Sequence, residues 1–462
     1  MSFYILDMFP YPSGSGLHIG HCIGYIATDI YARYVKSLGS EVCHPMGFDS
    51  FGLPTEYYAQ SVGKSCEEVT QINITRFKEQ MKILRLDLDW DREIWTSNPD
   101  YYVWTQWIFT QLYNSWFNPE TNKAELLETY LGDSPDSVRL VYKATYEANW
   151  CEELQTTLAD DEVVDGKSDR GGYPVVTRLI PSWFLRITPY KQRLIEGLEW
   201  VTWKNKKVQR NWIKERLHDV TFSRQKKWGE PIPIEGETDT MPSIAGSNWY
   251  FFRYLDPHNA EVFCRTSRQQ KWLPVDLYVG GSEHNTGHLL YARFITKVLY
   301  DLGHSVVDEP FKRIENVGLM MGSDGQKMSK SKGNAVAPDS MIEEHGIDAF
   351  RLGICFMGRF EETKIWDEGS IKGCKKFLNK VRALAATATP SSDESQLGLI
   401  AELREAVSGD IERFSHNTAV AKMMTCASRL KKMTPTRDAV RGLLQVMYPF
   451  TPDFSEELLA IL

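Results

Sequence analysis

The sequence lacks several features that would assign it directly to a class of protein. No run of about 18 apolar residues occurs, so we expect no membrane-spanning helix. The eight cysteines are scattered and form no Cys-x-x-Cys pair, which argues against a disulfide framework and a four-cysteine zinc site. The first residues show no basic segment ahead of an apolar stretch, so no secretory signal is predicted. We therefore expect a cytoplasmic protein with reduced thiols.

The sequence also has fewer basic than acidic residues, with 53 Lys and Arg against 61 Asp and Glu. Its formal net charge is therefore -8. This excludes a protein held to nucleic acid by bulk charge, but not one with a local basic patch. From Ser370 to Leu462 the balance reverses to 13 Lys and Arg against 10 Asp and Glu. A second basic cluster lies between Lys204 and Lys227. Phosphate contacts require such clusters, and solvated surface is the alternative explanation.

The remaining composition is that of a globular protein, with 462 residues, 42% of them hydrophobic and 25% charged.

Ser2–Phe9 is predicted as a strand, and a turn rich in Pro and Gly follows it. Apolar residues at helical spacing from Ile23 to Tyr34, with Gly39 as the stop, predict a helix of about 18 residues. Strand, glycine-bearing turn and helix in this order open a nucleotide-binding α/β unit.

The pattern further along the chain predicts two more strands and several helices. Strands are expected at residues 41–46 and 277–281, and helices at 66–86, 101–114, 183–198 and 289–302. The segment 119–169 is polar and rich in turns, as in a small insertion. Residues 370–462 are almost wholly helical in pattern, with a polar break at 389–395.

The first chemical motif is His18-Ile19-Gly20-His21 at the start of the predicted helix. Backbone N–H groups are unpaired at a helix N-terminus and the helix dipole favours anions there, so the position suits a phosphate. The two histidines add donors to the same place. Taken alone, they could equally be ordinary surface histidines.

The second motif is the segment from Lys327 to Asn334, which reads KMSKSKGN. Its closely spaced lysines, separated mostly by small residues, could form a cationic loop that stabilises charge on a transferring phosphoryl or nucleotidyl group. A solvated Lys-rich turn is the alternative.

Together the two motifs resemble the paired signature of class I aminoacyl-tRNA synthetases. Further segments resemble the leucyl-tRNA synthetase family over nearly the whole chain: DMFPYPSG from Asp7, GFDSFGLP from Gly47, SRQ from Ser223, WGEPIP from Trp228, LYVGGSEH from Leu277 and DAFRL from Asp348.

This resemblance implies an α/β fold, a split Rossmann-like catalytic domain with a small insertion, followed by an α-helical bundle. The expected divisions are 1–118 and 214–318 for the two catalytic halves, 119–213 for the insertion, 319–369 for the KMSKS loop and stem-contact region, and 370–462 for a shortened anticodon-binding-like bundle.

The resemblance also implies roles for individual residues. Expected ATP contacts are His18, Gly20, His21, Gly280, Gly281, Glu283, His288, Met320, Met321, Lys327 and Lys330, of which His18, His21, Lys327 and Lys330 would be catalytic. Expected amino-acid contacts are Met8, Phe9, Tyr11, Asp49, Ile244, Tyr278, His284 and His288. Asp49 would hold the α-ammonium group, because a buried ammonium needs a carboxylate. Mg²⁺ would accompany the ATP phosphates.

The sequence departs from the family in four places. The chain passes from Asn211 to Ser223 where the family carries its editing domain, so that domain is expected to be absent. Cys151 stands alone where family members have cysteine pairs, and one cysteine cannot hold a structural zinc. Ile244 takes a position where an aromatic pocket wall is expected. The family's last tRNA-contacting domain is also expected to be missing.

Two functions remain open at this point. The first is activation of leucine, or a similar aliphatic amino acid, with ATP and its transfer to tRNA without editing. The second is formation of the same adenylate for a carrier protein or a small-molecule acceptor. The His18, His21, Asp49, Lys327 and Lys330 set argues against a third possibility, a catalytically silent binding module.

Overall fold

The computed structural model describes residues 2–12, 14, 16–158, 162–169, 171–326, 328, 334 and 336–462. Its strands are β1 Ser2–Asp7, β2 Glu41–Cys43, β3 Ser115–Asn118, β4 Lys123–Leu126, β5 Val141–Cys151, β6 Thr156–Leu158, β7 Val163–Val164, β8 Lys167–Ser168, β9 Val176–Leu185, β10 Thr202–Trp203, β11 Val220–Thr221, β12 Glu230–Pro231, β13 Thr240–Met241, β14 Leu277–Gly281, β15 Arg313–Val317, β16 Met320–Met321 and β17 Lys364–Ile365.

The helices account for most of the remaining ordered backbone. They are α1 Ile19–Ser37, α2 Leu53–Val62, α3 Cys66–Ile83, α4 Pro99–Tyr113, α5 Lys191–Gly197, α6 Lys206–Arg216, α7 Ile244–Ser247, α8 Tyr250–Arg253, α9 Thr266–Trp272, α10 His288–Asp301, α11 Pro338–His345, α12 Ile347–Phe356, α13 Glu368–Thr387, α14 Glu394–Glu412, α15 His416–Lys431, α16 Arg437–Met447 and α17 Pro452–Leu459.

The centre of the fold is a five-stranded parallel sheet in the order β10-β15-β14-β1-β2. Strand β1 is central, and it pairs with β14 in the register Ile5↔Leu277 and with β2 in the register Phe3↔Val42. The chain leaves β1 toward β2 on one side and returns as β14 on the other. In open α/β sheets, ligands bind at such a reversal, beyond the carboxyl ends of the strands.

Helix α1 has the predicted position and length, with 19 residues from Ile19 to Ser37. Ile23, Ile26 and Ile30 of this helix are completely or almost completely buried. Gly39, two residues beyond the helix, has a φ of 81°, a left-handed conformation that favours glycine. The sequence pattern therefore located both the helix and its stop.

One predicted helix, 183–198, is wrong in its first part. Strand β9 runs through Trp183 to Leu185 and pairs with β5 in a long antiparallel ribbon, where Trp183 lies opposite Lys143. Helix α5 begins only at Lys191, after Pro189. The apolar residues of 183–187 are buried by the ribbon and by Phe109 of α4, and this tertiary packing overrides a helical spacing.

The insertion and the catalytic sheet exchange strands at their common border. Strand β10 lies within the predicted insertion, 119–213, but it pairs with β15 as the edge of the central sheet. Strand β11 lies within 214–318, but it pairs with β9 in the four-stranded sheet β11-β9-β5-β6. The expected divisions of the chain stay a prediction.

Helices α13 to α17 pack as the helical region that the pattern predicted, and Arg351 of α12 connects it to helix α1. The Arg351 guanidinium is fully buried and lies 2.6 Å from Asp29 of α1. It also donates to the backbone oxygens of Leu84, Pro449 and Phe450.

The central sheet, the insertion and the helical region together confirm the expected fold class: a split parallel sheet with a small insertion, followed by a helical region.

Within the described ranges, no helix combines the length and the apolar character that a bilayer crossing needs.

Candidate active site

A cavity of about 240 Å³ opens at the reversal point of the central sheet. It lies between the start of α1, the carboxyl end of β14 and the segment that leads from β15 into β16. The residues that line it and were expected at ATP are His18, Gly20, His21, Gly280, Gly281, Glu283 and Met320. Met8, expected at the amino acid, also lines it. The cavity therefore brings together residues separated by some 300 positions of the chain.

The two histidines of the first motif cap helix α1 reciprocally. His18 Nδ1 accepts from the Gly20 N–H at 3.0 Å, and His21 Nδ1 accepts from the His18 N–H at 3.2 Å. A neutral imidazole has one donor and one acceptor nitrogen, so an accepting Nδ1 puts the proton on Nε2. Each ring can then present an Nε2–H donor. The capping geometry was not anticipated from the sequence, although the position of the motif was.

Glycine at 280 and 281 keeps the opposite wall of the cavity open. A Cβ on Gly280 would lie 2.7 Å from the Tyr278 hydroxyl oxygen, and one on Gly281 would overlap the Glu283 carboxylate. Both glycines are buried, whereas Glu283 is exposed at the rim. A nucleoside can therefore approach the backbone here, with a carboxylate at the rim to accept from hydroxyl groups.

Asp49 lies deep in the protein, with 2% of its surface exposed. Its backbone N–H donates to the Pro10 oxygen at 3.1 Å, which holds it beside the Met8–Tyr11 segment. Its Oδ1 accepts from the Thr96 hydroxyl at 3.2 Å. Burial raises the pKa of the Asp49 carboxyl to about 8, against the opposing hydrogen bonds from Thr96 and Tyr11. Among the described residues, no ion pair includes Asp49.

Glu230 is a second buried carboxyl in the same neighbourhood, and sequence analysis did not single it out. Its Oε1 accepts from the Thr105 hydroxyl at 3.2 Å, and its Oε2 has no partner among the described residues. Burial and the nearby Asp49 raise the pKa of Glu230 well above its usual value. Both amide atoms of buried Asn248 likewise have no partner in the described part of the chain. The region around Asp49 is thus acidic and polar.

Aromatic rings and histidines form the floor beside the Met8–Tyr11 segment. Phe9 stacks on Tyr250 with ring centroids 4.1 Å apart, and His288 lies 5.7 Å from Tyr250 and 6.0 Å from Tyr278. Burial lowers the pKa of His288 to about 3, so its ring is neutral at physiological pH. His284, 6.2 Å from His288, has its pKa lowered by burial as well. Neutral rings of this kind suit an uncharged aliphatic side chain.

Asp7 is a further residue of the cavity that sequence analysis did not assign to the site. It ends β1 and lines the cavity directly before Met8. Its carboxylate lies 2.8 Å from His44 Nε2 and accepts from the Thr28 hydroxyl at 2.9 and 3.0 Å. Hydrogen bonding to Asp7 outweighs burial and raises the pKa of His44. A polar residue at the carboxyl end of a central parallel strand was the available signal.

The arrangement places an acidic pocket for an ammonium group beside a cavity with imidazole donors and a helix N-terminus. Such a site can bring the carboxylate of a molecule whose ammonium group is held in the acidic pocket against the phosphates of a nucleotide.

Comparison with known proteins agrees with this. The family model described as "tRNA synthetases class I (M)" matches residues 3–241, and the one described as "tRNA synthetases class I (I, L, M and V)" matches residues 258–365.

The chain belongs to the class I aminoacyl-tRNA synthetases. It is 30% identical to the leucine–tRNA ligase of Bdellovibrio bacteriovorus, covering 99% of the chain and 85% of that relative. The alignment spans 700 positions, which is 238 more than the 462 residues of this synthetase.

Solved structures agree with this assignment. The LeuRS–tRNA–LeuAMS ternary complex of Agrobacterium radiobacter matches with a TM-score of 0.86 and 25% identity, over 99% of this chain and 85% of that one. The methionyl-tRNA synthetase of Mycobacterium tuberculosis, bound to methionyl-adenylate, matches with a TM-score of 0.77 and 18% identity, over 99% and 93%. The second likeness concerns the fold alone. The leucyl-tRNA synthetase-like character expected from the motifs is confirmed.

Four further expected site residues lie away from this cavity lining or outside the described part of the chain. Lys327 and Lys330 of the synthetase's second motif fall outside the described residues. Met321 follows Met320 in β16 but does not line the cavity, and half-buried Ile244 begins α7 without lining it.

Cys151, the lone cysteine of the insertion, is fully buried and packs with Leu53, Leu154 and Leu158. The expectation that no structural zinc binds there stays a prediction, since neighbouring residues 159–161 are not described.

Proposed function

We propose that this synthetase activates leucine, or a similar aliphatic amino acid, as its adenylate with ATP and transfers it to tRNA. The observation that carries the proposal is Asp49, a buried carboxyl without an ion-pair partner among the described residues. It lies beside the Met8–Tyr11 segment, whose Met8 lines the cavity together with His18 and His21. An α-ammonium would supply the missing charge. The substrate carboxylate would then face the α-phosphate of ATP in the cavity.

In this proposal ATP occupies the cavity, with its phosphates at the start of α1 and its adenosine along Gly280, Gly281 and Glu283. Nucleotidyl transfer needs little covalent work from side chains, so positioning and charge stabilisation would carry the rate. Lys327 and Lys330 would neutralise charge on the α-phosphate. Mg²⁺ would bind with the phosphates, and no structural zinc is proposed.

We further propose that the synthetase does not edit. Support comes from the segment between α6 and β11, where only residues 217–219 separate the two elements. The additional positions in the alignment with the Bdellovibrio relative are consistent with an insert that this chain does not carry. A hydrophobic pocket distinguishes one methylene by only about 1–3 kcal/mol, a magnitude established on synthetases themselves.

ATP–pyrophosphate exchange across the standard amino acids tests the first step. We expect exchange with leucine, and with isoleucine, valine or methionine within about 10- to 200-fold of it, because a hydrophobic pocket by itself separates such similar side chains by no more than this. Exchange with none of the amino acids would overturn the proposal. Exchange confined to a charged amino acid would overturn the aliphatic assignment.

The second candidate is delivery of the adenylate to a carrier-protein thiol or a small-molecule amine. The lack of space for an editing insert between α6 and β11 favours it, since a product outside translation needs no proofreading. Charging of total tRNA with labelled leucine separates the two. We expect charging; strong exchange together with no charging of any tRNA would replace the first proposal with the second.

A further inference from the structure

A lysine is buried beneath the wall of the nucleotide cavity, where no role has been assigned to it. Lys364, in β17, is only 6% exposed. It adjoins a small cavity of about 10 Å³ lined also by Ile23 and Ala27 of α1 and by His416 of α15. Burial lowers the pKa of its ammonium to about 8. Among the described residues, no carboxylate forms an ion pair with it.

The Lys364 ammonium is held by two backbone oxygens instead. Its Nζ donates to the Phe360 oxygen at 3.1 Å and to the Glu362 oxygen at 3.0 Å. Because both acceptors lie in one short loop, residues 358–362, the side chain fixes that loop from beneath. Hydrogen bonds from a charged donor are stronger than neutral ones, and here they replace the lost solvation of the ammonium.

The same loop supports the wall of the nucleotide cavity. The Phe360 oxygen that accepts from Lys364 also accepts from the Gly318 N–H at 3.0 Å. Gly318 lies so close to the loop that a Cβ on it would overlap the Glu362 oxygen. Gly318, Leu319 and Met320 are cavity-lining residues. The Lys364 ammonium therefore reaches the cavity wall through one shared carbonyl oxygen, that of Phe360.

The backbone of Lys364 completes the connection. Its N–H donates to the Leu319 oxygen at 2.9 Å, and β17 pairs with β16 in the register Met320↔Lys364. The Met320 oxygen in turn accepts from the Met328 N–H at 3.3 Å, inside the second motif. Lys364 thus pairs with β16. That strand lines the cavity at Met320 and accepts a hydrogen bond from Met328 of the second motif.

We infer that Lys364 is a positioning residue for ATP: its ammonium holds the 358–362 loop against Gly318 and so sets the wall of the nucleotide cavity. The inference rests on the proposed function, since it takes the cavity to be the ATP site. It predicts a specific effect on ATP, because Lys364 is not among the residues placed around the amino acid.

The test is Lys364→Met, which keeps the length and removes the donor, measured by ATP–pyrophosphate exchange. We expect KM for ATP to rise at least about fivefold, while KM for the amino acid stays within about twofold. The matched control is Lys297→Met, because Lys297 is 1% exposed in α10 but pairs with Asp308 and Glu309. That variant should lose stability and keep the wild-type KM for ATP.

A second variant covers the case in which Lys364→Met does not fold. Lys364→Gln keeps N–H donors on a shorter side chain, and a rise of about two- to fivefold in KM for ATP is expected. An unchanged KM for ATP in a folded variant overturns the inference, and so does an equal rise in Lys297→Met. If the wild type shows no exchange, the proposed function fails. In that case the role of Lys364 is tested by equilibrium dialysis with labelled ATP, which compares the dissociation constants of wild type and variant.

Discussion

Asp49 is a carboxyl group kept almost fully out of water, with hydrogen bonds from Thr96 and Tyr11. Folding an ionised carboxylate into such a place costs free energy unless a cation joins it. The raised pKa of Asp49, about 8, means that the folded protein holds this proton far more tightly than an unfolded chain does. The stability contributed by the protonated group is therefore present at acidic pH and is lost as the pH rises toward about 8.

Asp49→Asn should therefore make the protein more stable and inactive at the same time. We expect its free energy of unfolding, from urea denaturation, to exceed that of the wild type at about pH 9 and to converge with it near about pH 4. Exchange activity should be lost, because a neutral amide cannot balance the ammonium group. Asp438→Asn, at a half-exposed aspartate of α16, should change neither property. Near-normal exchange in Asp49→Asn would show that the ammonium binds elsewhere.

Helix α1 combines two tasks at its first turn, because His18 is both its N-cap and a wall of the cavity. The Nδ1 atom supports the helix, and Nε2 is the nitrogen that carries the proton. The two tasks can be separated by side chains that cap without presenting an imidazole.

His18→Asn should keep the cap and lose the chemistry. Asparagine is a good N-cap residue, so we expect its thermal stability to match the wild type, whereas His18→Ala should lose about 1 kcal/mol. Both variants should lower kcat in exchange, because neither offers the imidazole donor. Thermal unfolding and exchange on the three proteins provide the comparison. Wild-type kcat in His18→Asn would mean that His18 serves the helix alone.

The elements that sequence reasoning found are those with strong local signals. Helix α1 and strand β14 have clear periodicity and clear ends, and their motifs fall where the sheet reverses. The residues that it missed depend on pairing between distant segments. Glu230 reaches Thr105 across 125 residues, and Trp183 joins a ribbon instead of a helix. No local pattern encodes such partners, because they are set by tertiary packing.

At the scale of the whole molecule, Arg351 connects three parts of the chain through one buried guanidinium. It pairs with Asp29 of α1 and donates to carbonyl oxygens at the end of α3 and beyond α16. The Asp29 pKa stays below its usual value despite burial, because Arg351 and Arg33 favour the carboxylate. The helical region is thereby fixed to the helix that carries the histidines.

Arg351→Met should destabilise the protein by about 3–5 kcal/mol, since it leaves Asp29 with one cation fewer and several buried carbonyls without a donor. Urea denaturation measures the loss. The control is Arg382→Met, which breaks the exposed pair with Glu457 and should cost less than about 1 kcal/mol. A loss in Arg351→Met no larger than in the control would show that the buried pair does not hold the two parts together.

The central position of β1 has a consequence for how the protein is made. Its neighbour β14 follows some 270 residues later in the chain, and the two are in register at Ile5 and Leu277. At translation rates of about 5–20 residues per second, β1 waits on the order of tens of seconds for that partner. During this interval β2 can pair with one edge of β1, while the edge that later pairs with β14 stays open. The nascent chain therefore presents an unpaired strand edge to the ribosome surface and to chaperones until the second half of the sheet has emerged.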